Sequence, residues 1–189
     1  IYTGEDTLSL HDALPICGKA VRFDEDDVRP MGRQARGVRG MMLDEGQRVI
    51  AMLVADQDET HSVENDEARV SVLCATENGY GKRTSIVEYT RHGRGTKGMI
   101  AIQQSERNGK VVAATLVRAH DEIMLITDTG VLVRTRVSEI RELGRATQGV
   151  TLIGLDDGAK LSGLQRIVEN DANGDPETQA GTPGEESDS

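Results

Sequence analysis

Three copies of one spaced pattern of glycine and arginine constrain what this chain of 189 residues can fold into more than any other feature of it. Written G-x3-R-x9-G-R-x3-G, the pattern runs Gly18, Arg22, Gly32, Arg33, Gly37; then Gly79, Arg83, Gly93, Arg94, Gly98; then Gly130, Arg134, Gly144, Arg145, Gly149. No copy needs a gap, and an apolar residue follows the last glycine each time: Val38, Met99, Val150. Periods of 61 and 51 residues are those of a repeat architecture with one supersecondary unit per copy. Arginines recurring at fixed places suggest one cationic edge.

Each unit reads as four strands. The second is the clearest: Val70–Thr76, a turn at Asn78-Gly79, Thr84–Tyr89, the glycine-arginine box, Met99–Ile102, a turn at Arg107-Asn108-Gly109, then Val111–Val117. The third repeats it with Ile123–Thr127, Val131–Thr135, Val150–Ile153 and Leu161–Val168. The first shows Lys19–Phe23, an acidic loop at Asp24–Asp27, Gly37–Leu43 and Arg48–Val54. Joined in order by hairpins, these strands predict an all-β chain of propeller-like blades, each of four antiparallel strands, with no helix required.

The strand that should precede the first copy is missing. Ile1–Ile16 has no counterpart in the repeats, and its LSLHDALPI resembles translated sequencing-adapter sequence, an assembly scar. The head is therefore expected to pack poorly and to leave the first blade one strand short; the plainer alternative is a divergent N-terminal strand. The repeats are expected to occupy 17–168. The tail, 169–189, carries seven acids, no base and almost no large apolar residue, so it is expected to be disordered.

Formal charge is −10, which would argue against a polyanionic partner if it were spread evenly. It is not: head and tail hold ten acids and no base, while all 22 Lys and Arg lie between them, so that part is neutral overall. Two cysteines without paired spacing indicate neither a disulfide framework nor a zinc site. No apolar run reaches the roughly 18 residues of a membrane span, and a cytoplasmic location fits.

The segments ATENGYGKRTSIVEY (75–89), RGTKGMIAI (94–102) and LITDTGVLVRTRVSEI (125–140), with GRATQGVTLI and the closing GLQRIVE, resemble the C-terminal domain family of the bacterial DNA gyrase A protein. The resemblance covers Gly18 to about Glu169 and fits the paralogous topoisomerase IV protein less well. It implies a β-pinwheel, a propeller-like ring whose neighbouring blades exchange strands, and a role in wrapping duplex DNA around a positive rim. The family's domain has about six blades, of which this chain would hold the last three as a partial ring. The family's Gln-Arg-Arg-Gly-Gly-Lys-Gly box is absent; Arg94-Gly95-Thr96-Lys97-Gly98 is a degenerate relative of it. The resemblance further implies the rest of the gyrase A protein and the gyrase B ATPase as partners in a heterotetramer, with ATP and magnesium used elsewhere in that enzyme and no cofactor here.

A wrapping surface needs cations that reach phosphates and glycines that let the backbone approach. Candidates in the box loops are Arg33, Arg36, Arg94, Lys97 and Arg145, with Arg39, Lys82, Arg83, Arg91, Arg134, Arg136 and Arg141 nearby. Such contacts position a duplex without reading its bases. The alternative is that these arginines only pair with the abundant acids, or that the rim binds an acidic protein partner. Catalysis finds no support: Tyr89 takes a core position of the repeat, the histidines lack ligand spacing, and the Asp26-Asp27 and Asp156-Asp157 pairs read as turn acids.

Overall fold

The computed structural model describes residues 9–15, 17–56 and 69–167. The strands, in chain order, are β1 (Ser9–Pro15), β2 (Lys19–Phe23), β3 (Val49–Asp56), β4 (Ser71–Thr76), β5 (Tyr80–Ser85), β6 (Met99–Ile100), β7 (Val111–Val117), β8 (Glu122–Thr127), β9 (Leu132–Arg136), β10 (Val150–Thr151) and β11 (Leu161–Ile167). Three single turns of 3-10 helix, Glu25–Asp27, Ile86–Glu88 and Val137–Glu139, fall at the same place in each repeat. Among the described residues there is no α-helix, so the chain is all-β.

Three sheets form, ordered β3-β1-β2-β6, β10-β5-β4-β7 and β11-β8-β9, and every pairing is antiparallel. The order corrects the simple hairpin reading. The third strand of each unit does not return to its own sheet: β6, from the second unit, pairs with β2 of the first, and β10, from the third, pairs with β5 of the second. The box loop is long enough to carry the chain across a blade boundary, and the sheets are laced together as a pinwheel requires.

That rule explains two further departures. Gly37–Leu43 joins no sheet and makes only an isolated bridge, Met41 to Thr96, because no earlier sheet in the described chain offers it an edge. Thr84–Tyr89 is not one strand: β5 ends at Ser85, and the following 3-10 turn aims the chain into the box.

The head is also corrected. Ser9–Pro15 lies between β2 and β3, in register from Ser9 opposite Asp56 to Leu14 opposite Ala51, and from His11 opposite Phe23 to Ala13 opposite Val21. It fills the first-strand position held by β4 and β8, so the first blade is not a strand short. A ladder is made by backbone groups that nearly any extended segment supplies, and two facing strand edges left open would strand those groups. The tail expectation, 169–189, falls outside the described residues.

The core lies between the sheets. β4 is buried along its whole length, with Val72 and Cys74 packed toward Ala20, Tyr89, Ala101 and Ile102, and Leu73 and Ala75 packed toward Ile123, Leu125, Val137 and Ile140. A strand covered on both faces needs a continuous apolar run rather than alternation, which Val72–Ala75 provides.

Candidate nucleic-acid interface

The glycines divide by position. Gly18, Gly79 and Gly130, and again Gly37, Gly98 and Gly149, take left-handed φ between 70° and 87°, whereas Gly32, Gly93 and Gly144 do not. Gly98 is needed twice over, since a Cβ there would stand 2.4 Å from the carbonyl oxygen of Ala20, and one at Gly149 would stand 2.6 Å from that of Gly81. These glycines let an exchanged strand cross the neighbouring blade at backbone contact.

The recurring arginines do the same lacing. Arg22 donates from Nη1 to the carbonyls of Ile86 and Tyr89, at 2.9 and 3.0 Å, and Arg83 donates from Nε to that of Ile140 at 2.7 Å. Tyr89 and Ile140 occupy one repeat position, the cap of the next blade's 3-10 turn. The box arginines follow a second rule: Arg94 Nη1 reaches the carbonyl of Arg39 at 3.3 Å and Arg145 Nη1 that of Ile100 at 3.2 Å, again one repeat position apart. Arg94 also donates from Nε to the carbonyl of Asp27 at 2.8 Å. Recurrence of arginine therefore records blade-to-blade stapling, and does not by itself mark a cationic edge.

Lys82 needs the firmest correction. Its residue is 0% exposed, and Nζ donates to the carbonyls of Gly144 and Arg145, beneath the third box. Burial, partly offset by Cys74 and Glu88 and reinforced by the Arg145 charge, lowers its pKa from 10.5 to about 8. It meets no phosphate in this conformation. The facing Cys74 thiol is pushed up to about 12 by burial, slightly relieved by Lys82.

The exposed cations are elsewhere. Arg33, Arg36, Arg39, Arg91 and Arg141 present themselves to solvent. Arg91 pairs with Asp24 at 2.8 Å; Lys97, 63% exposed, pairs with Asp44 at 3.1 Å; Arg134 and Arg136 both turn to Glu122. Exposed pairs of this kind are worth about 0.2–1 kcal/mol, so another anion can displace them.

The boxes themselves stand side by side. Gly95 N–H donates to Gly40 at 2.6 Å and Met42 N–H to Thr96 at 2.8 Å, joining the first box to the second. Gln103 N–H donates to Thr147 at 2.9 Å, joining the second to the third. Asn108, read from the sequence as turn chemistry alone, completes that junction: Nδ2 donates to Gln103 and Gln148 carbonyls at 2.9 Å each. Tyr89 is core as expected. Among the described residues no group of three or more His, Cys, Asp or Glu could hold a metal, and no helix is long and apolar enough to cross a membrane.

Comparison with known proteins agrees with this architecture. The profile of the DNA gyrase C-terminal domain, described as a beta-propeller, matches residues 17–56, 71–118 and 121–167. The DNA gyrase A protein of Escherichia coli (strain K12) is 47% identical over 169 residues, 89% of this chain and 18% of that one. The gyrase A protein of Pseudomonas aeruginosa is 46% identical over 170 residues, 90% and 17%. The chain thus spans less than a fifth of these relatives. A solved gyrase A C-terminal domain superposes with a TM-score of 0.72 at 28% identity, covering 85% of this chain and 51% of that one. A topoisomerase IV C-terminal domain superposes at 0.73 with 21% identity, covering 86% and 47%, which speaks to the fold alone. With the profile spread over all three laced units, the chain belongs to the DNA gyrase C-terminal domain family.

Proposed function

We propose that this chain is a DNA-binding and DNA-wrapping module of a DNA gyrase A protein, holding duplex DNA along the row of box loops. The observation that carries the reading is the contact of the three boxes with one another while Arg33, Arg36, Arg39 and Lys97 remain exposed along them. Phosphate contacts of this kind fix the path of a duplex without reading bases, so preference among sequences would come from how easily each bends. Arg91, Arg134, Arg136 and Arg141 extend the cationic row, and the carboxylate partners of the first three exchange for phosphates at small cost. Arg83, Arg94 and Arg145 contribute through the fold, by holding the loops in place. The remainder of the gyrase A protein and the gyrase B ATPase would be the protein partners, in a bacterial cytoplasm, with ATP and magnesium handled outside this chain.

The test is a salt titration of duplex binding with Arg33, Arg36 and Arg39 replaced together by Ala. Each lost phosphate contact flattens the log K against log salt slope by about 0.9, so three lost contacts flatten it by about 2.7. Arg118→Ala, in the groove lined by Met52, Leu116 and Arg166, serves as control and leaves slope and affinity unchanged. Unchanged slope in the triple variant would overturn the rim reading and favour an acidic protein partner.

A further inference from the structure

The boxes are not chemically alike. Arg36 and Lys97 hold one repeat position, both exposed, but Gln148 holds it in the third box, which therefore carries no cation there. What lies beneath differs in the opposite sense. The second box crosses the first blade above Val21, whose Cγ2 would stand 2.9 Å from a Cβ at Gly98. Val133 takes the place of Val21 in the third unit. In the second unit that residue is Lys82, buried, with Nζ donating to the carbonyls of Gly144 and Arg145 in the third box. The box that lacks this cation outside has one inside.

The loop over that ammonium is tied down on both sides. Thr84 Oγ1 donates to the Leu143 carbonyl at 2.7 Å, and Leu143 N–H donates to the Arg83 carbonyl at 2.9 Å. Arg145 N–H donates to Glu88 Oε2 at 3.1 Å, and Arg145 Nη1 to the Ile100 carbonyl at 3.2 Å. In a planar trans peptide the amide points opposite to its carbonyl. With the Arg145 carbonyl turned inward to Lys82, the Ala146 N–H is turned to the exposed side. The positive end of that peptide, backed by a buried ammonium, faces the place where a phosphate would lie. Among the described residues the titratable and charged groups facing Lys82 are Cys74 on β4, Glu88 in the 3-10 turn and Arg145 in the box. The Cys74 thiol, pushed up to about 12, keeps its proton well past the range where Lys82 titrates.

We propose that Lys82 is a positioning residue for duplex binding: its ammonium holds the third box loop and attracts phosphate through it, so that binding there is coupled to uptake of a proton by Lys82. This rests on the DNA-binding reading above, and adds that a buried residue touching no DNA sets how that binding depends on pH. A phosphate laid against the box offsets the repulsion from Arg145 and favours the charged form of Lys82. Burial leaves Lys82 near pKa 8 in the free protein, so the bound protein keeps the proton to higher pH. Coupling is reciprocal: if phosphate tightens the hold on the proton, the proton tightens the hold on DNA by the same factor. Affinity therefore falls as pH rises through about 8 and beyond. Unfolding runs the other way over pH 8 to 9, because the unfolded lysine, near 10.5, binds the proton more tightly than the folded one. A loss of binding in that interval is not a loss of fold.

The experiment titrates a mixed-sequence duplex into the full chain at fixed ionic strength, from about pH 7 to about pH 9.5, across the titration of Lys82. A rise of about one pK unit on binding makes affinity fall severalfold over this range. Calorimetry near pH 8.5 in two buffers of different ionisation enthalpy should then read uptake of about half a proton. Lys82→Arg keeps a cation that stays charged throughout, so it should bind at neutral pH with a flat profile and without that uptake. Lys82→Met should bind more weakly and equally flat. Glu88→Gln tests the coupling without altering the core: it keeps an acceptor for Arg145 N–H and removes a charge that holds the Lys82 pKa up, so the fall in affinity should move to lower pH. Wild-type affinity that is flat with pH, a fall that persists in Lys82→Arg, or a Glu88→Gln fall at the wild-type pH would each overturn the role of Lys82 while leaving DNA binding in place. Absence of duplex binding at every pH would instead overturn the DNA-binding reading, and this role with it.

Discussion

Arg83 Nε donates to the carbonyl of Ile140 at 2.7 Å across the boundary between the second and third blades, and Arg22 Nη1 makes the matching bond to Tyr89 at 3.0 Å. A guanidinium bond to such a carbonyl does two things at once. It satisfies the end of a 3-10 turn and it fixes the angle between neighbouring sheets, which is why the same arginine recurs at the same offset from glycine.

Arg83→Met should therefore lower stability without changing how DNA is held. A hydrogen bond to a charged group contributes about 1.5–3 kcal/mol, and the abandoned Ile140 carbonyl adds to the loss. Urea unfolding should show the midpoint falling at constant m, while the salt slope of duplex binding, measured well below the unfolding transition, stays where it is. A flattened slope would mean that Arg83 meets phosphate after all.

The glycines give a graded test. Gly37→Ala meets open space and incurs only the cost of left-handed backbone, about 1–2 kcal/mol. Gly98→Ala incurs that cost and also drives a methyl to within 2.4 Å of the Ala20 carbonyl, so β6 must lift from β2. Measured by urea unfolding, Gly98→Ala should cost clearly more than Gly37→Ala. Equal losses would show that the close crossing carries no constraint.

What is legible in the sequence follows from what each pattern encodes. Gly18, Gly79 and Gly130 are readable because left-handed backbone has few other occupants, and Val72–Ala75 because burial on both faces demands an apolar run. The crossing of β6 onto β2 is not readable from strand patterns: a box loop that can return the chain to its own sheet can also carry it to the next, and neither alternation nor turn chemistry distinguishes them. Arg94 misleads because a guanidinium that staples the Arg39 carbonyl and one that waits for a phosphate present the same letter. Lys82 follows a glycine in a strand that alternates poorly, and nothing in its neighbours announces a buried ammonium. The strand at Ser9–Pro15 is legible only as the alternative reading of the head, because a backbone ladder asks little of side chains.

The acidic tail supplies a prediction that rests on charge alone. Seven acids without a base, tethered to a cationic row, act as a local competitor for it. Deleting 171–189 should tighten duplex binding at low salt, and the gain should shrink as the screening length falls to about 8 Å at physiological ionic strength. Equal affinities with and without the tail at low salt would leave it no part in DNA binding.

Lys82 makes a prediction about pH whose sign can be worked out. Its folded pKa of about 8 lies below its ordinary 10.5, so between these values the unfolded chain holds the proton more often than the folded one. Stability rises with pH wherever the unfolded state binds more protons, so unfolding should become harder as pH climbs from about 8. Cys74 opposes this higher up: its thiol, raised from 9.0 to about 12, stays protonated in the fold while the unfolded thiol ionises, so stability falls with pH over that range. The chain should therefore gain stability between about pH 8 and 9, hold level to about 10.5 while the two effects cancel, and lose stability beyond that. Cys74→Ala should extend the rise toward about pH 10, and Lys82→Met should abolish it while lowering stability at neutral pH, since the Gly144 and Arg145 carbonyls lose their donor. Urea midpoints at half-unit pH steps measure all three proteins. A rise that persists in Lys82→Met would assign the titration to another group.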